Sequence, residues 1–367
     1  MRLLFILNSE DSFIRNFFKV TILIFVGIIL LFETALYRLG ETLPYALVHD
    51  RQRLNGEIFL PEYFNVGAEY KKEGMSRKKP NILALGTSRI VQLSEDLFAE
   101  HVTFYNAGLD ASTSREIDGM IRLLQSLSKE ELPKIIVLGV DPWVLNPHYP
   151  ANQRTAKRKI LDVVEAHPAL NYFYGGYRFL SGRWQAYEGL IRERHNWLSF
   201  LWAKGTEGIG LNAKLTHAGF LVDGSFVYPQ DIKIEPARTS TDWVRWLHED
   251  RYRFAPADEL DESVLEKLKG LLGFCQEQDI KVVGVLMPFR NDFYDALINS
   301  SRHAKFFEKF RRVTCDTLKS FEDECFDLSS PYALNLHEDD FIDTNHLKRE
   351  AFIRIVQRFL PVTQSPH

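Results

Sequence analysis

Asn81-Ile82-Leu83-Ala84-Leu85-Gly86-Thr87-Ser88-Arg89 is the stretch on which the fold turns. Ile82 to Leu85 is short, wholly apolar and closed by a glycine, with none of the polar alternation of a half-exposed strand. That pattern predicts a strand covered on both faces, as in a parallel sheet. Val102-Thr103-Phe104-Tyr105 and Ile135-Ile136-Val137-Leu138-Gly139-Val140 repeat it. Between them Thr113-Ser114-Arg115-Glu116 reads as a capping box, and Ile117, Met120, Ile121, Leu124 and Leu127 follow at helical spacing.

The alternation returns late in the chain. A helix carrying Val264, Leu265, Leu268, Leu271 and Leu272 precedes a strand over Lys281 to Met287, then a helix with Phe306, Phe307, Phe310 and Val313. A fifth short strand, Cys325-Phe326-Asp327-Leu328, leads into a terminal helix with Leu347, Ala351, Phe352, Ile355, Val356 and Phe359. Five strands alternating with helices predict an α/β protein, a three-layer α/β/α sandwich around a five-stranded parallel sheet. In such sheets ligands bind beyond the carboxyl ends of the strands.

Toward the N-terminus, Val20 to Phe32 carries no charge, and its apolar character extends from Phe17 to Tyr37. A span needs about 20 such residues, so a transmembrane signal anchor is expected over 17–37. A cleaved signal peptide fits less well, because no A-x-A site follows. Arg2, Arg15 and Lys19 precede the segment, which leans positive charge to its N-terminal side and orients the body outward. The expected organisation is a short cytoplasmic N-terminus (1–16), the anchor, a solvated stalk (38–79), a catalytic domain (80–360) and a tail (361–367). An aromatic-rich insertion or lid at about 144–256 interrupts the domain, and a hairpin turning at Asp223-Gly224 is expected within it.

Composition narrows the class. The 367 residues are 45% hydrophobic and 26% charged with a net charge of -4, which excludes a disordered tail and a polytopic membrane protein. No basic excess is present to neutralise a nucleic-acid backbone, so nucleic acid is not an expected partner. Cys275, Cys315 and Cys325 show no CxxC spacing and read as small buried hydrophobes, with a Cys315–Cys325 bridge as the alternative in an oxidising compartment.

Three clusters could carry chemistry. Gly86-Thr87-Ser88-Arg89 puts a serine on the turn leaving the first strand, where a strand-to-helix turn exposes the hydroxyl and a backbone N–H can serve an oxyanion; a plain Gly-Thr-Ser loop is the alternative. Asp343-Thr344-Asn345-His346 places a carboxylate three residues ahead of an imidazole, able to orient it as a general base; the same residues could instead cap the last helix. Asn106-Ala107-Gly108 ends the second strand, and its glycine admits a close backbone N–H or simply turns the chain. His337, Glu338, Asp339 and Asp340 with Asp343 and His346 offer a further alternative, a hard-cation site, though their spacing matches no known loop. No cofactor is called for.

Serine after strand one, Asn-x-Gly after strand two and Asp-x-x-His before the last helix all fall at one edge of one sheet. With this conjunction the chain resembles the SGNH/GDSL hydrolase superfamily over about residues 80–140 and 260–360. The resemblance implies an SGNH/flavodoxin-like fold with Ser88 as nucleophile, His346 as base, Asp343 as its orienter and Gly108 as an oxyanion donor. It departs from the superfamily at Gly139-Val140-Asp141, where Gly-x-Asn is common, because an ionised Asp cannot donate to an oxyanion. Asp141 is then structural, or Arg89, Thr87 or Asn146 substitutes as donor; Arg89, Asn106 and Asp141 are therefore carried as candidate oxyanion or binding residues. An anchored, outward-facing domain of this kind implies an acyl esterase or O-acyltransferase acting on a cell-envelope polysaccharide or acylated glycan. The implied setting is a bacterial cytoplasmic membrane, with a membrane-bound acyltransferase as a partner. The rival expectation is a catalytically inactive binding or assembly protein on the same fold.

Overall fold

A computed structural model describes residues 2–64, 66, 68–108, 114–149, 168–192, 198, 208–228 and 243–363. In chain order the described helices are α1 (Arg2–Leu39), α2 (Tyr45–Asn55), α3 (Ala68–Lys78), α4 (Ser114–Gln125), α5 (Pro168–Arg192), α6 (Leu211–Thr216), α7 (Glu262–Glu277), α8 (Asn291–Ile298), α9 (Ala304–Ser320) and α10 (Phe352–Thr363). The strands are β1 (Ile58–Phe59), β2 (Ile82–Leu85), β3 (Phe104–Asn106), β4 (Ile135–Gly139), β5 (Gly208–Ile209), β6 (Gly219–Phe220), β7 (Phe226–Val227), β8 (Lys281–Leu286) and β9 (Glu324–Asp327).

β3-β2-β4-β8-β9 form a five-stranded sheet, parallel throughout. β2 and β4 have no exposed residue, which is why their sequences lack polar alternation. Side chains still alternate between the faces. Leu83, Leu85, Ile136, Leu138, Val282 and Leu286 join one core with α4, α7 and α9. Ile82, Ala84, Ile135, Val137, Val283 and Val285 join a second core with Phe352, Ile355, Val356 and Phe359 of α10. Each such fully buried Leu, Ile or Phe contributes about 1.5–3 kcal/mol. Asp261 caps α7, accepting from the amides of Ser263 and Val264.

The chain leaves β2 to build β3 on one side, then returns to build β4 on the other. Strand order therefore reverses between β2 and β4, the place where such sheets hold ligands. Leu85 lies opposite Leu138, so the loop that begins at Gly86 starts level with Gly139, the last residue of β4, from which the second loop leaves. Gly86 has φ +148°, and a Cβ there would sit 2.8 Å from the Gly139 carbonyl oxygen. Only glycine allows the two loops to approach this closely.

Several expectations are corrected. The backbone after Ser88 makes successive turns, not an α-helix, with Ile90 N donating to Thr87 O and Leu93 N to Ile90 O. The stretch expected as a solvated stalk is packed: Val48, Phe59 and Tyr70 share a core, and Lys71 is fully buried. β1 from that stretch joins β5, β6 and β7 in a small four-stranded sheet. β6 and β7 are the expected hairpin, with Gly224 at φ +76°. Cys315 and Cys325 are disulfide-bonded, and Cys275 is the buried free thiol. Leu127 lies beyond the end of α4, and Leu347 sits in the loop before α10. α10 runs on into the segment expected as a tail. Thr113 of the expected capping box, Trp197, Trp202 and the parts of the insertion at 150–167, 193–197, 199–207 and 229–242 lie outside the described residues.

The α1 stretch Ile14–Leu39 is long and apolar enough to cross a membrane, with a mean hydropathy of 2.4 over an 18-residue window of it, 11% of which is buried. The helix itself runs back to Arg2, through the segment expected as a separate N-terminus.

Candidate active site

Ser88 and His346 are 258 positions apart in the chain, yet Ser88 Oγ lies 2.8 Å from His346 Nε2. On the other side of the ring, His346 Nδ1 is 2.7 Å from Asp343 Oδ2. Asp343 Oδ1 accepts the backbone amides of Asn345 (2.9 Å) and His346 (2.8 Å). Burial by itself raises the Asp343 pKa. The hydrogen bond and charge of His346, with those two amides, outweigh it and hold the carboxyl below the usual range. The loop is closed by pairing of Phe341 with Leu347 and by Ile342 N donating to His346 O at 2.7 Å. Asp343 thus orients the imidazole within one tight turn, so the helix-cap alternative is not how these residues are used.

Arg89 is where the structure departs most from the expectation of an oxyanion or substrate contact. It is 2% exposed, and its guanidinium is held by four protein acceptors. Nη1 reaches Asp141 Oδ1 at 2.6 Å, Nη2 reaches the carbonyls of Met287 (2.8 Å) and Pro288 (2.6 Å), and Nε reaches that of Asn345 (3.1 Å). It also lies 4.0 Å from the Phe289 ring centre, a cation–π contact. One side chain therefore joins the Ser88 turn, the ends of β4 and β8, and the His346 loop. Burial pulls the Arg89 pKa down, and the Asp141 charge opposes that shift.

Asp141 is 1% exposed, and its second oxygen accepts the Thr87 hydroxyl. A buried guanidinium needs a counter-charge, so Arg89 explains why Asp stands where an Asn was anticipated. The other expected donors are also committed. Asn106 Nδ2 donates to the carbonyls of Ile90 and Leu93, both at 2.8 Å, and Asn106 Oδ1 accepts the Gly108 amide at 2.9 Å. Asn146 Nδ2 donates to Ala255 O. Gly108, Arg89, Asn106 and Asp141 therefore build the rim and do not present free donors. Among the described residues the Ser88 amide makes no hydrogen bond, and it sits on the same turn as the Ser88 hydroxyl.

Residues beyond the motifs complete the surroundings. The β6–β7 hairpin docks on this edge: Asp223 O accepts Asn106 N at 2.7 Å, and Val91 O accepts Phe226 N at 2.7 Å. Tyr228 follows β7, and its ring centre is 6.0 Å from that of His346. Lys71 Nζ donates to Asn106 O (2.9 Å) and Gly224 O (2.6 Å) and lies 4.2 Å above the Phe220 ring. Its burial pulls its pKa down to about 7, against the opposing charge of Asp223. The only hint in the sequence was the Asp-Gly turn. No local pattern marks Lys71 as buried.

The cation alternative finds no geometry to support it. His337 and Asp340 cap a short turn, Asp340 pairs with Arg354, and among the described residues no three His, Cys, Asp or Glu converge to hold a metal ion. Compared with known proteins, the chain matches no family model and no curated sequence.

Proposed function

We propose that the chain is a serine-dependent acyl esterase or O-acyltransferase of SGNH type, with the layered α/β/α architecture of that superfamily, acting on an acylated cell-envelope glycan. The observation that carries this reading is the continuous Ser88–His346–Asp343 hydrogen-bond chain at the switch point of a parallel sheet. His346 Nε2 takes the Ser88 proton as Oγ attacks the ester carbonyl, and a tetrahedral oxyanion forms. Asp343 stabilises the resulting imidazolium. Collapse breaks the bond to the leaving alkoxide, which receives the proton from His346, and leaves acyl-Ser88. Water or a glycan hydroxyl then attacks by the same route in reverse. The Ser88 amide is the donor that the site offers the oxyanion.

α1 serves in this reading as a single-pass anchor in a bacterial cytoplasmic membrane, with the body on the periplasmic or outer side. The Cys315–Cys325 bridge supports an oxidising compartment. Partners of the chemistry implied are the envelope polymer and a membrane-bound acyltransferase that supplies or receives the acyl group.

A second reading is favoured by one observation: the Gly108 amide donates to the Asn106 side chain, the Asn106 side-chain amide donates to the carbonyls of Ile90 and Leu93, and Asp141 offers no donor. On this reading the fold is a binding or assembly module without turnover. A fluorophosphonate probe applied to the full-length protein in detergent, beside Ser88→Ala, separates the two. Labelling that disappears in the variant supports the enzyme, and equal background in both supports the binding module.

A further inference from the structure

α5 is the one long described helix that packs against the C-terminal end of α1. Arg183 Nη1 lies 3.0 Å from Glu33 Oε2, and the Tyr187 hydroxyl bonds to Glu33 Oε1. The Tyr187 ring stacks on Phe32 with centres 5.2 Å apart. Ala186 and Leu190 are fully buried in a cluster with Ala35, Leu36 and Leu39. Glu33 is the first charge after the uncharged run Val20–Phe32, so α5 meets α1 at the level where that run ends.

A second stripe on α5 is not buried. Leu180 (67%), Trp184 (67%) and Ile191 (61%) are exposed. At 3.6 residues per turn they fall within about 40° of arc on the helix surface. The polar side chains Gln185, Glu188 and Arg192 lie to one side of that stripe, and the face seated on α1 lies to the other. The stripe is thus the continuation, around α5, of the exposed apolar surface of α1, where Phe25, Ile28, Leu30 and Leu31 also stand bare.

We propose that this stripe lies in the lipid bilayer, so that α5 is a second membrane contact which fixes the orientation of the α/β body against the outer leaflet. The proposal rests on the reading of α1 as the membrane span. Three features favour lipid as the occupant: continuity with the surface of α1, the depth set by the Glu33–Arg183 pair, and the chemistry of the stripe. A tryptophan beside an arginine, flanked by aliphatic residues, matches the boundary between headgroups and acyl chains. The consequence for the proposed activity is positional. An active site held at fixed height serves acyl donors or acceptors carried at that surface.

The test uses the full chain in lipid nanodiscs, with a nitroxide on one introduced cysteine at a time: Trp184→Cys, Leu180→Cys, Leu23→Cys in α1 and Ile298→Cys at the exposed end of α8. The native cysteines are bridged or buried, so they do not compete for the label. Collision with oxygen reports lipid, and collision with a neutral nickel chelate reports water. The expected result is an oxygen-to-nickel ratio at 184 and 180 several-fold above that at 298 and below that at 23, as a boundary depth requires. A water-like ratio at 184 with a lipid-like ratio at 23 overturns the proposal while leaving the anchor intact. A water-like ratio at 23 overturns the anchor and the proposal together. A label at 184 that is immobile and shielded from both reagents shows a protein partner on the stripe and also overturns it.

Discussion

Asp141→Asn is the substitution that would bring this chain toward the commoner Gly-x-Asn pattern, and the structure assigns it a penalty. Asp141 and Arg89 are 1% and 2% exposed, and the carboxylate accepts from Arg89 Nη1 and the Thr87 hydroxyl. An Asn has one acceptor oxygen for those two donors, so its NH2 must face one of them. The Arg89 charge would stay buried among neutral carbonyls. Removing one partner of a buried ion pair costs about 3–5 kcal/mol. At about 2–4 °C per kcal/mol in a domain of this size, the midpoint of thermal unfolding should fall by roughly 6–20 °C. Near-UV circular dichroism of the full-length protein in detergent measures this directly. The double variant Arg89→Met/Asp141→Asn removes both charges and should recover part of the loss, with a coupling of about 0.5–3 kcal/mol between the two sites. If Asp141→Asn melts within about 2 °C of the parent, a shift of less than about 1 kcal/mol, and labels faster with the fluorophosphonate, Asp141 is not the counter-ion of Arg89. The buried pair would then not be what ties the Ser88 turn to the end of β4.

Other outcomes follow from the same geometry. Asp343→Asn removes the charge facing His346 Nδ1 and favours the wrong tautomer, so Ser88 labelling should slow by about 10³- to 10⁴-fold; a rate near that of the parent would show that the carboxylate is not orienting the ring. Lys71 has a folded pKa of about 7 against an ordinary 10.5, so between those values the unfolded chain binds more protons than the folded one. Stability of the parent relative to Lys71→Met should therefore rise with pH across that window, by up to about 1.4 kcal/mol per pH unit, and be flat below it. Denaturant melts of both proteins from pH 6 to 10 check this, and parallel curves would contradict it. Gly86→Ala places a Cβ 2.8 Å from Gly139 O at φ +148° and should destabilise by about 1–3 kcal/mol while slowing Ser88 labelling. Gly119→Ala in α4, with open space around the new methyl, should instead stabilise by about 0.4–1 kcal/mol.

Much of this was legible from local pattern. Uninterrupted apolar runs such as Ile82–Leu85 and Ile135–Gly139 can only be strands buried on both faces, and the Ser-turn and Asp-x-x-His segments carry their chemistry in the residues themselves. The hairpin at Asp223-Gly224 and the long apolar helix were legible for the same reason, since turn chemistry and hydropathy are local properties. The sequence by itself determined the alternation of strands and helices, and with it the edge at which Ser88, Asp343 and His346 had to fall.

Tertiary structure alone decided what each polar group near that edge is free to do. Whether Arg89 meets a substrate or Asp141, whether Asn106 offers an N–H or spends it on Ile90 and Leu93, and whether Lys71 is solvated or buried beneath the hairpin all depend on partners that are distant along the chain. Arg89 and Asn345 O are 256 positions apart, and Lys71 and Gly224 O are 153 apart. A hydrogen bond has no signature in the residue that donates it until the acceptor is in place. Periodicity therefore reveals where a chain folds, and only packing reveals which of its donors are already taken.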